Sequence, residues 1–320
     1  MSHRTGKYIN QFLRTTVAVF LVSLAFIPSL HATNIKPETL NLKPQTGSLI
    51  AYEDTLKTLG DSVLHGSSDA VRELANKNFK TILEKVLNER ESFEFTFDSV
   101  KTLGKETAPD KTFRIYNWLL PKYDGSNYSY FGFVQTFDKK KNEIKVFALT
   151  DSSKVLINPQ SLKLRSDNWY GALYYKILKR KKGGKYYYTL LGWHGKNQST
   201  TQKIIDVIYF ASGKPMFGYP LFKTEKVYKD RIIFEYTAQV VMSLKYEDAK
   251  GMIVFDHLSP SSKEMENNFS VYGPDGSYDA FRFKGGHWLY VKDVDVQMNW
   301  KPKKQPKEPQ VHDMPIEERK

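Results

Sequence analysis

The sequence predicts an α+β chain that is mostly β: an N-terminal helical hairpin packed on a large antiparallel meander, closed as a sandwich or as a curled sheet or barrel. Three observations predict it. Apolar residues between Leu49 and Leu87 recur three or four apart, the spacing of one helical face. From Phe93 onward they come in short runs rich in tyrosine, phenylalanine, valine and isoleucine, divided by Gly, Asp, Asn and Lys turns. Those turns are too short to hold crossover helices, so neighbouring strands are expected to pair antiparallel.

The chain opens with Arg4, Lys7 and Arg14 and has no acid before Glu38. An uncharged stretch follows, strongly apolar from Val17 to Ile27, and Pro28, Ser29 and Ala32 close it. A basic start, a short apolar run and a small-residue exit are the parts of an export signal. The run is shorter than the ~20 residues a spanning helix needs. Residues 1–32 are therefore expected to be a cleavable signal, leaving a periplasmic or secreted protein with no transmembrane segment in the mature chain. Residues 33–46, polar and punctuated by proline, are expected to be a flexible lead-in.

Leu49, Tyr52, Leu56, Leu59 and Val63 outline the first helix, and His65-Gly66 ends it. Ser67, Ser68 and Asp69 are N-cap candidates for the second, whose stripe runs through Val71, Leu74, Ala75, Phe79, Ile82, Leu83, Val86 and Leu87. The hairpin is assigned to residues 47–91 and a β domain to 92–300. Strands are expected at Phe93–Phe97, Thr112–Leu120, Tyr128–Phe137, Glu143–Thr150, Tyr170–Lys179, Lys185–Trp193, Lys203–Phe210 and Met216–Phe222. They continue at Arg231–Thr237, Gln239–Tyr246, Gly251–Leu258, Asp279–Phe283 and His287–Val296. Turns fall at Pro109-Asp110, at Asp124-Gly125-Ser126-Asn127, and at the tight basic Lys139-Lys140-Lys141-Asn142. The clearest hairpin is at Lys181-Lys182-Gly183-Gly184, because glycine takes positive φ without steric cost. Residues 301–320, polar and proline-broken, are expected to be a disordered tail.

Cysteine is absent, which excludes disulfides, a thiol nucleophile, thiolate metal sites and a lipid-modified cysteine. The formal net charge of +13 favours an anionic partner at long range. Such a balance also serves solubility alone; as a partner signal it fits nucleic acid, anionic lipid headgroups or acidic polysaccharide. Export argues against nucleic acid, leaving the partner open, with an envelope protein or an anionic polysaccharide as candidates.

The stretch from Ala108 to Gln135, with Tyr174–Leu178, Tyr187–Gly195 and the closing Gly276–Trp288, resembles an uncharacterised family of exported Bacteroidetes-type proteins with no assigned activity. There a Pro-Asp-Gly-x-x-Arg-Ile-Tyr-x-Trp segment precedes a long antiparallel region and a final Tyr-x-Phe-x-Gly strand. Lys111 stands here where that pattern has glycine. The resemblance implies an exported, β-rich chain, and carries no catalytic residue, cofactor or partner with it.

Among residues with chemistry, no His-Glu-x-x-His or His-x-His spacing occurs, so no local metal set and no cofactor is expected. His194 and His287 each adjoin a tryptophan, Trp193 and Trp288, close to glycines at strand ends. Brought together at a sheet mouth they would make a ligand site; apart, they are polar turn edges. Lys179, Arg180, Lys181, Lys182 and Lys185 are the densest positive run, with Tyr186, Tyr187 and Tyr188 directly after. Basic and stacking groups together grip anionic polymers, while a charged hairpin tip also blocks strand-to-strand aggregation. Asp256, His257 and Ser259 have the residue types of a catalytic triad, but adjacent strand residues face opposite ways. The Asp275-Gly276-Ser277 and Asp124-Gly125-Ser126 segments read as turns before they read as calcium loops. Asp293 and Asp295 share a face of the last expected strand, and glycoside cleavage would require carboxylates across a cleft. These residues point to a non-enzymatic binding or interaction protein of the cell envelope. The alternative is a hydrolase acting on cell-wall glycan or peptide, which requires at least two of His194, Asp256 and His287 to meet in one cleft.

Overall fold

Helix α1 (Leu49–His65) and helix α2 (Asp69–Leu87) form the expected hairpin, with the Ser68 hydroxyl accepting from Val71 N at 3.3 Å as the N-cap of α2. They open a computed structural model that describes residues 49–225 and 227–295. The expected signal (1–32), lead-in (33–46) and tail (301–320) lie outside the described residues. No helix among those described is long and apolar enough to cross a membrane.

The hairpin lies on a four-stranded antiparallel meander, β1 (Gly104–Thr107), β2 (Phe113–Pro121), β3 (Tyr128–Asp138) and β4 (Glu143–Thr150), in that order. Strand alternation gives this sheet two working faces. Tyr116, Trp118 and Phe133 pack against Leu56, Phe79, Leu83 and Leu87 of the helices, and Trp118 Nε1 donates to Asn76 Oδ1 at 2.7 Å. Phe113, Ile115, Tyr130 and Val134 face the other way, onto a second sheet.

The chain next lays down β5 (Leu164–Arg165), β6 (Leu173–Lys182), β7 (Lys185–His194), β8 (Thr200–Ala211) and β9 (Lys214–Phe217). It then contributes β10 (Phe222–Lys223) and β11 (Tyr228–Lys229) elsewhere and returns as β12 (Ile232–Thr237). The second sheet is ordered β5-β9-β8-β7-β6, with β12 also on β8. Strands β13 (Leu244–Glu247), β14 (Met252–Pro260), β15 (Tyr272–Lys284) and β16 (His287–Val291) complete a third sheet, ordered β11-β10-β16-β15-β14-β13. Tyr187, Leu191, Ile205 and Val207 of the second sheet meet Phe222, Phe255, Phe281 and Trp288 of the third. The protein is thus four layers, one helical and three of sheet, with sheet curling into a half-barrel. The second sheet is covered on both faces, which is why β8 is apolar from Ile204 to Ala211 but for Asp206. One pairing, β10 on β16, is parallel. The short-connection argument does not reach it, because these two strands are distant in sequence.

Strand β8 is the axis of the middle layer. Its early residues pair with β12 (Ile205 with Ile232) and its late ones with β9 (Ile208 with Phe217), so its edge forks at Asp206-Val207. Arg231 fills the fork. Its Nε donates to Asp206 Oδ1 at 3.2 Å, and both side chains are fully buried. Its Nη1 donates to the carbonyls of Pro159 and Leu162. Asp206 also accepts from Val207 N at 2.8 Å and from Tyr174 Oη at 3.1 Å, and Tyr174 accepts in turn from Trp169 Nε1 at 3.1 Å. Gly218 (φ +84°) borders the fork, and a Cβ there would lie 2.4 Å from the Leu162 carbonyl.

Several expected elements differ. Phe93–Phe97 is no strand: a short helical turn, Arg90–Phe93, precedes a loop in which Phe97 has φ of 51°. The Arg114 guanidinium takes the carbonyls of Phe93 and Phe95, at 2.9 and 2.6 Å, in place of a ladder. Gln239–Tyr246 shrinks to β13, leaving Val241 exposed. The Asp275-Gly276 turn lies inside β15, where Gly276 (φ +94°) accommodates an irregularity opposite the register shift at His257. Strand β16 stops at Val291, so Asp293 and Asp295 lie beyond it. Lys111 has φ of 55°, in the left-handed region that favours glycine.

The fork yields a testable consequence. Arg231→Met strands a buried carboxylate and is expected to cost about 3–5 kcal/mol in urea unfolding, whereas adding Asp206→Leu recovers most of that loss. A double variant no more stable than the single one would show that the charges themselves are not what the fork requires.

Candidate functional site

The pleat divides the basic run. Hairpin β6–β7 closes through Gly183 (φ +55°) and Gly184 (φ +79°), with Lys182 opposite Lys185. Alternation then sends Lys179 and Lys181 toward the first sheet and Arg180 and Lys182 toward the third. Arg180 sits among Tyr246, Phe283 and Trp288, with its guanidinium carbon 4.9 Å from the Trp288 ring centroid, and donates to Tyr246 Oη at 2.8 Å. It is half-buried packing between sheets. Lys182 Nζ lies 2.8 Å from His287 Nε2. Trp288 is fully buried, donating to Thr189 Oγ1 at 2.9 Å, and belongs to the core.

On the other face, Lys179 Nζ lies 2.7 Å from Asp110 Oδ2 and 3.8 Å from the ring centroid of the exposed Tyr186. Asp110 also accepts from Tyr188 Oη at 2.7 Å and from Thr112 Oγ1 at 2.8 Å. Burial pushes its carboxyl up, but the hydrogen bonds from Lys179, Tyr188 and Thr112 together outweigh it and hold it below the ordinary aspartate range. This carboxylate forms part of the wall of a cleft of about 560 Å³ between the β3–β4 hairpin and the β8–β9 turn. Phe137 and Phe210 supply apolar wall, and Lys139, Lys140, Lys141 and Lys145 line it with Asp138 and Glu143.

The acids of this cleft are already engaged. Asp110 holds Lys179, Glu143 pairs with Lys145 at 3.4 Å, and Asp138 accepts the backbone N–H groups of Lys140 and Lys141 at 2.9 and 3.2 Å. The ammonium groups of Lys139, Lys140 and Lys141 are exposed and make no ion pair among the described residues. Seen from solvent, the cleft is a cationic concavity with aromatic walls, suited to anionic groups carried on a less polar backbone. The sequence showed Lys139–Lys141 only as a turn; the alignment of Phe137, Phe210 and Asp110 beside it comes from strands far apart in the chain.

The two histidine–tryptophan pairs do not meet. His194 closes β7, while His287 touches Lys182 beside the residue that opens it; a ten-residue strand lies between, roughly 30 Å at ~3.3 Å per residue. His194 is buried between Tyr130 and Tyr170, with ring centroids 4.5 and 5.5 Å away. Its Nε2 lies 3.2 Å from Ser153 Oγ, and its Nδ1 has no partner among the described residues. Trp193 packs edge-on to Tyr128 at 6.0 Å. Asp256 accepts instead from Ser243 N at 2.7 Å. His194, Asp256 and His287 thus each have other partners and form no shared cleft.

Asp256 does not orient His257 either. The register shift of β14 turns His257 toward Asp279, which lies 2.7 Å from Nδ1, accepts from Tyr290 Oη at 2.5 Å and accepts the Asp293 N–H at 3.1 Å. Asp275 is 3.9 Å from Nε2. No group of three or more metal-ligating side chains is gathered among the described residues. No protein-family model, curated protein or solved structure matches the chain.

Burial depresses the His194 pKa to about 4 against the pull of Asp151, from 6.5 for an ordinary histidine. Between those values the unfolded chain binds the extra proton, so stability falls as the pH drops from 6.5 to 4. The loss is expected to be about 3 kcal/mol. Urea unfolding of the wild type and of His194→Gln, near neutrality and near pH 4, checks it: the wild type should lose more, and equal losses would remove His194 as the source.

Proposed function

We propose that this chain is an exported, non-enzymatic binding protein of the cell envelope, and that the cleft beside hairpin β6–β7 holds an anionic polysaccharide. The observation that carries the reading is the pairing of uncompensated lysines with pre-engaged acids. Lys139, Lys140 and Lys141 face a concavity whose carboxylates are already tied to Lys179, Lys145 and backbone N–H groups. Aromatic walls give sugar rings an apolar surface while the ammonium groups meet their acidic substituents. Export is supported by the basic start, short apolar run and small-residue exit of residues 1–32, and by the resemblance to an exported family.

Calorimetric titration with a polyuronate tests the cleft. Lys139→Gln, Lys140→Gln and Lys141→Gln combined should weaken binding about tenfold, since three exposed ion contacts each contribute a fraction of a kcal/mol to one kcal/mol. The dependence of affinity on salt should flatten in parallel. Unchanged affinity and salt dependence would refute the assignment. Export is tested separately: the native protein should begin near residue 33 and fractionate outside the cytoplasm.

A further inference from the structure

The far face of the same hairpin carries a second strip. Lys163 and Lys182 place Nζ 5.7 and 5.4 Å from the Tyr219 ring centroid. Lys182 Nζ reaches His287, whose ring is 5.1 Å from that of the exposed Tyr228, and Lys223 Nζ lies 6.0 Å from the Tyr228 centroid. Cations and rings are interleaved along the run, with His287 and Tyr228 side by side. Lys163, Lys182 and Lys223 enter no ion pair among the described residues, although the buried carboxyl of Asp230 feels the charge of Lys163.

Hairpin β6–β7 carries a cleft-side face, where Lys179 meets Asp110, and a strip-side face, where Lys182 meets His287 and Tyr219; its crest joins the two. Gly183 and Gly184 form it, and a Cβ built on either would meet nothing within 4 Å. The crest is therefore bare, with Lys179, Lys181 and Tyr186 on one flank and Lys182 on the other. We infer that the ligand is an acidic polysaccharide long enough to cross this crest, lying in the cleft with one part and along the Lys163–Lys223 strip with the next. The inference rests on the cleft reading and extends it from an anionic group to a chain of minimum length.

Two features favour that ligand over others with the same charge. A ridge with cations on both flanks can be straddled by a flexible chain, whereas a lipid surface would engage one flank. Tyr219, the ring between Lys163 and Lys182, is also a poor base-stacking platform. It packs against Tyr187 at 4.3 Å and edge-on to Tyr209 at 5.3 Å, so it is committed to its ring neighbours. Stacking of nucleic-acid bases needs ring faces open; hydroxyl and ammonium groups suit sugar hydroxyls and carboxylates.

The test compares a uronate tetramer with a long polyuronate fraction by calorimetry, using the full mature chain. The wild type should bind the long fraction at least about tenfold more tightly than the tetramer. Lys163→Gln with Lys223→Gln, both exposed, should abolish that gain and leave tetramer affinity unchanged. The Lys139–Lys141 triple variant should weaken both. A strip variant that binds the long fraction like wild type overturns the inference and leaves the cleft reading intact. A triple variant that binds the tetramer like wild type overturns the cleft reading itself. Equal or tighter binding of single-stranded nucleic acid of matched charge, or of anionic vesicles, overturns the assignment to a polysaccharide.

Discussion

The structure depends on one buried ion pair, Asp206 with Arg231, at the point where β8 exchanges one neighbour for another. A strand edge that forks leaves backbone groups without a ladder, and buried groups of that kind must find partners elsewhere. At the fork the Val207 N–H donates to the Asp206 carboxylate and the Val207 carbonyl accepts from Gly218 N, while Arg231 meets the charge of Asp206 and donates to the Pro159 and Leu162 carbonyls of the adjoining loop. The carbonyl of Gln160 accepts from Asp230 N, and its side-chain oxygen from Ile233 N and Lys229 Nζ, so the same loop plugs the rest of the gap. Through Tyr174 and Trp169 the network reaches the packing between the first and second sheets. A planar guanidinium with several fixed donors suits such a junction; a lysine would offer a point charge and lose the fork geometry.

How much of this was legible in the sequence follows from the range of the forces involved. Helices α1 and α2 and most strands were visible because periodic apolar residues and glycine turns are local signals. Phe93–Phe97 misled because its alternation looks like a strand, yet its carbonyls are claimed by Arg114 from another element. The fork at Asp206 gave no local sign, since an acid within an apolar run has no visible partner until Arg231 comes round beside it. The basic hairpin was legible as composition but not as a surface. A five-residue cluster on paper became two flanks because successive side chains of a strand point opposite ways, and one member, Arg180, is taken up by packing against Trp288.

Charge in this protein is organised by which acids are occupied more than by how many lysines there are. Asp110 illustrates the principle: its carboxylate joins the β1–β2 connection to Tyr188 and Lys179 and so removes one negative charge from the cleft while fixing its shape. His194 shows the reverse case. It is held neutral by burial among tyrosines, where it fills space as an aromatic ring, so a residue that looked like a ligand from its neighbours behaves as core.

The order in which strands are laid down also constrains how the chain can assemble. The first sheet is contiguous and needs nothing made later to complete its ladder. The other two are interleaved: β10 and β11 belong to the third sheet, yet they are synthesised before β12 closes the second. The third sheet therefore takes two strands from within the span of the second, which ties the two together. A break in the polypeptide between β11 and β12 would divide two sheets at once, whereas one after β4 falls at a natural seam.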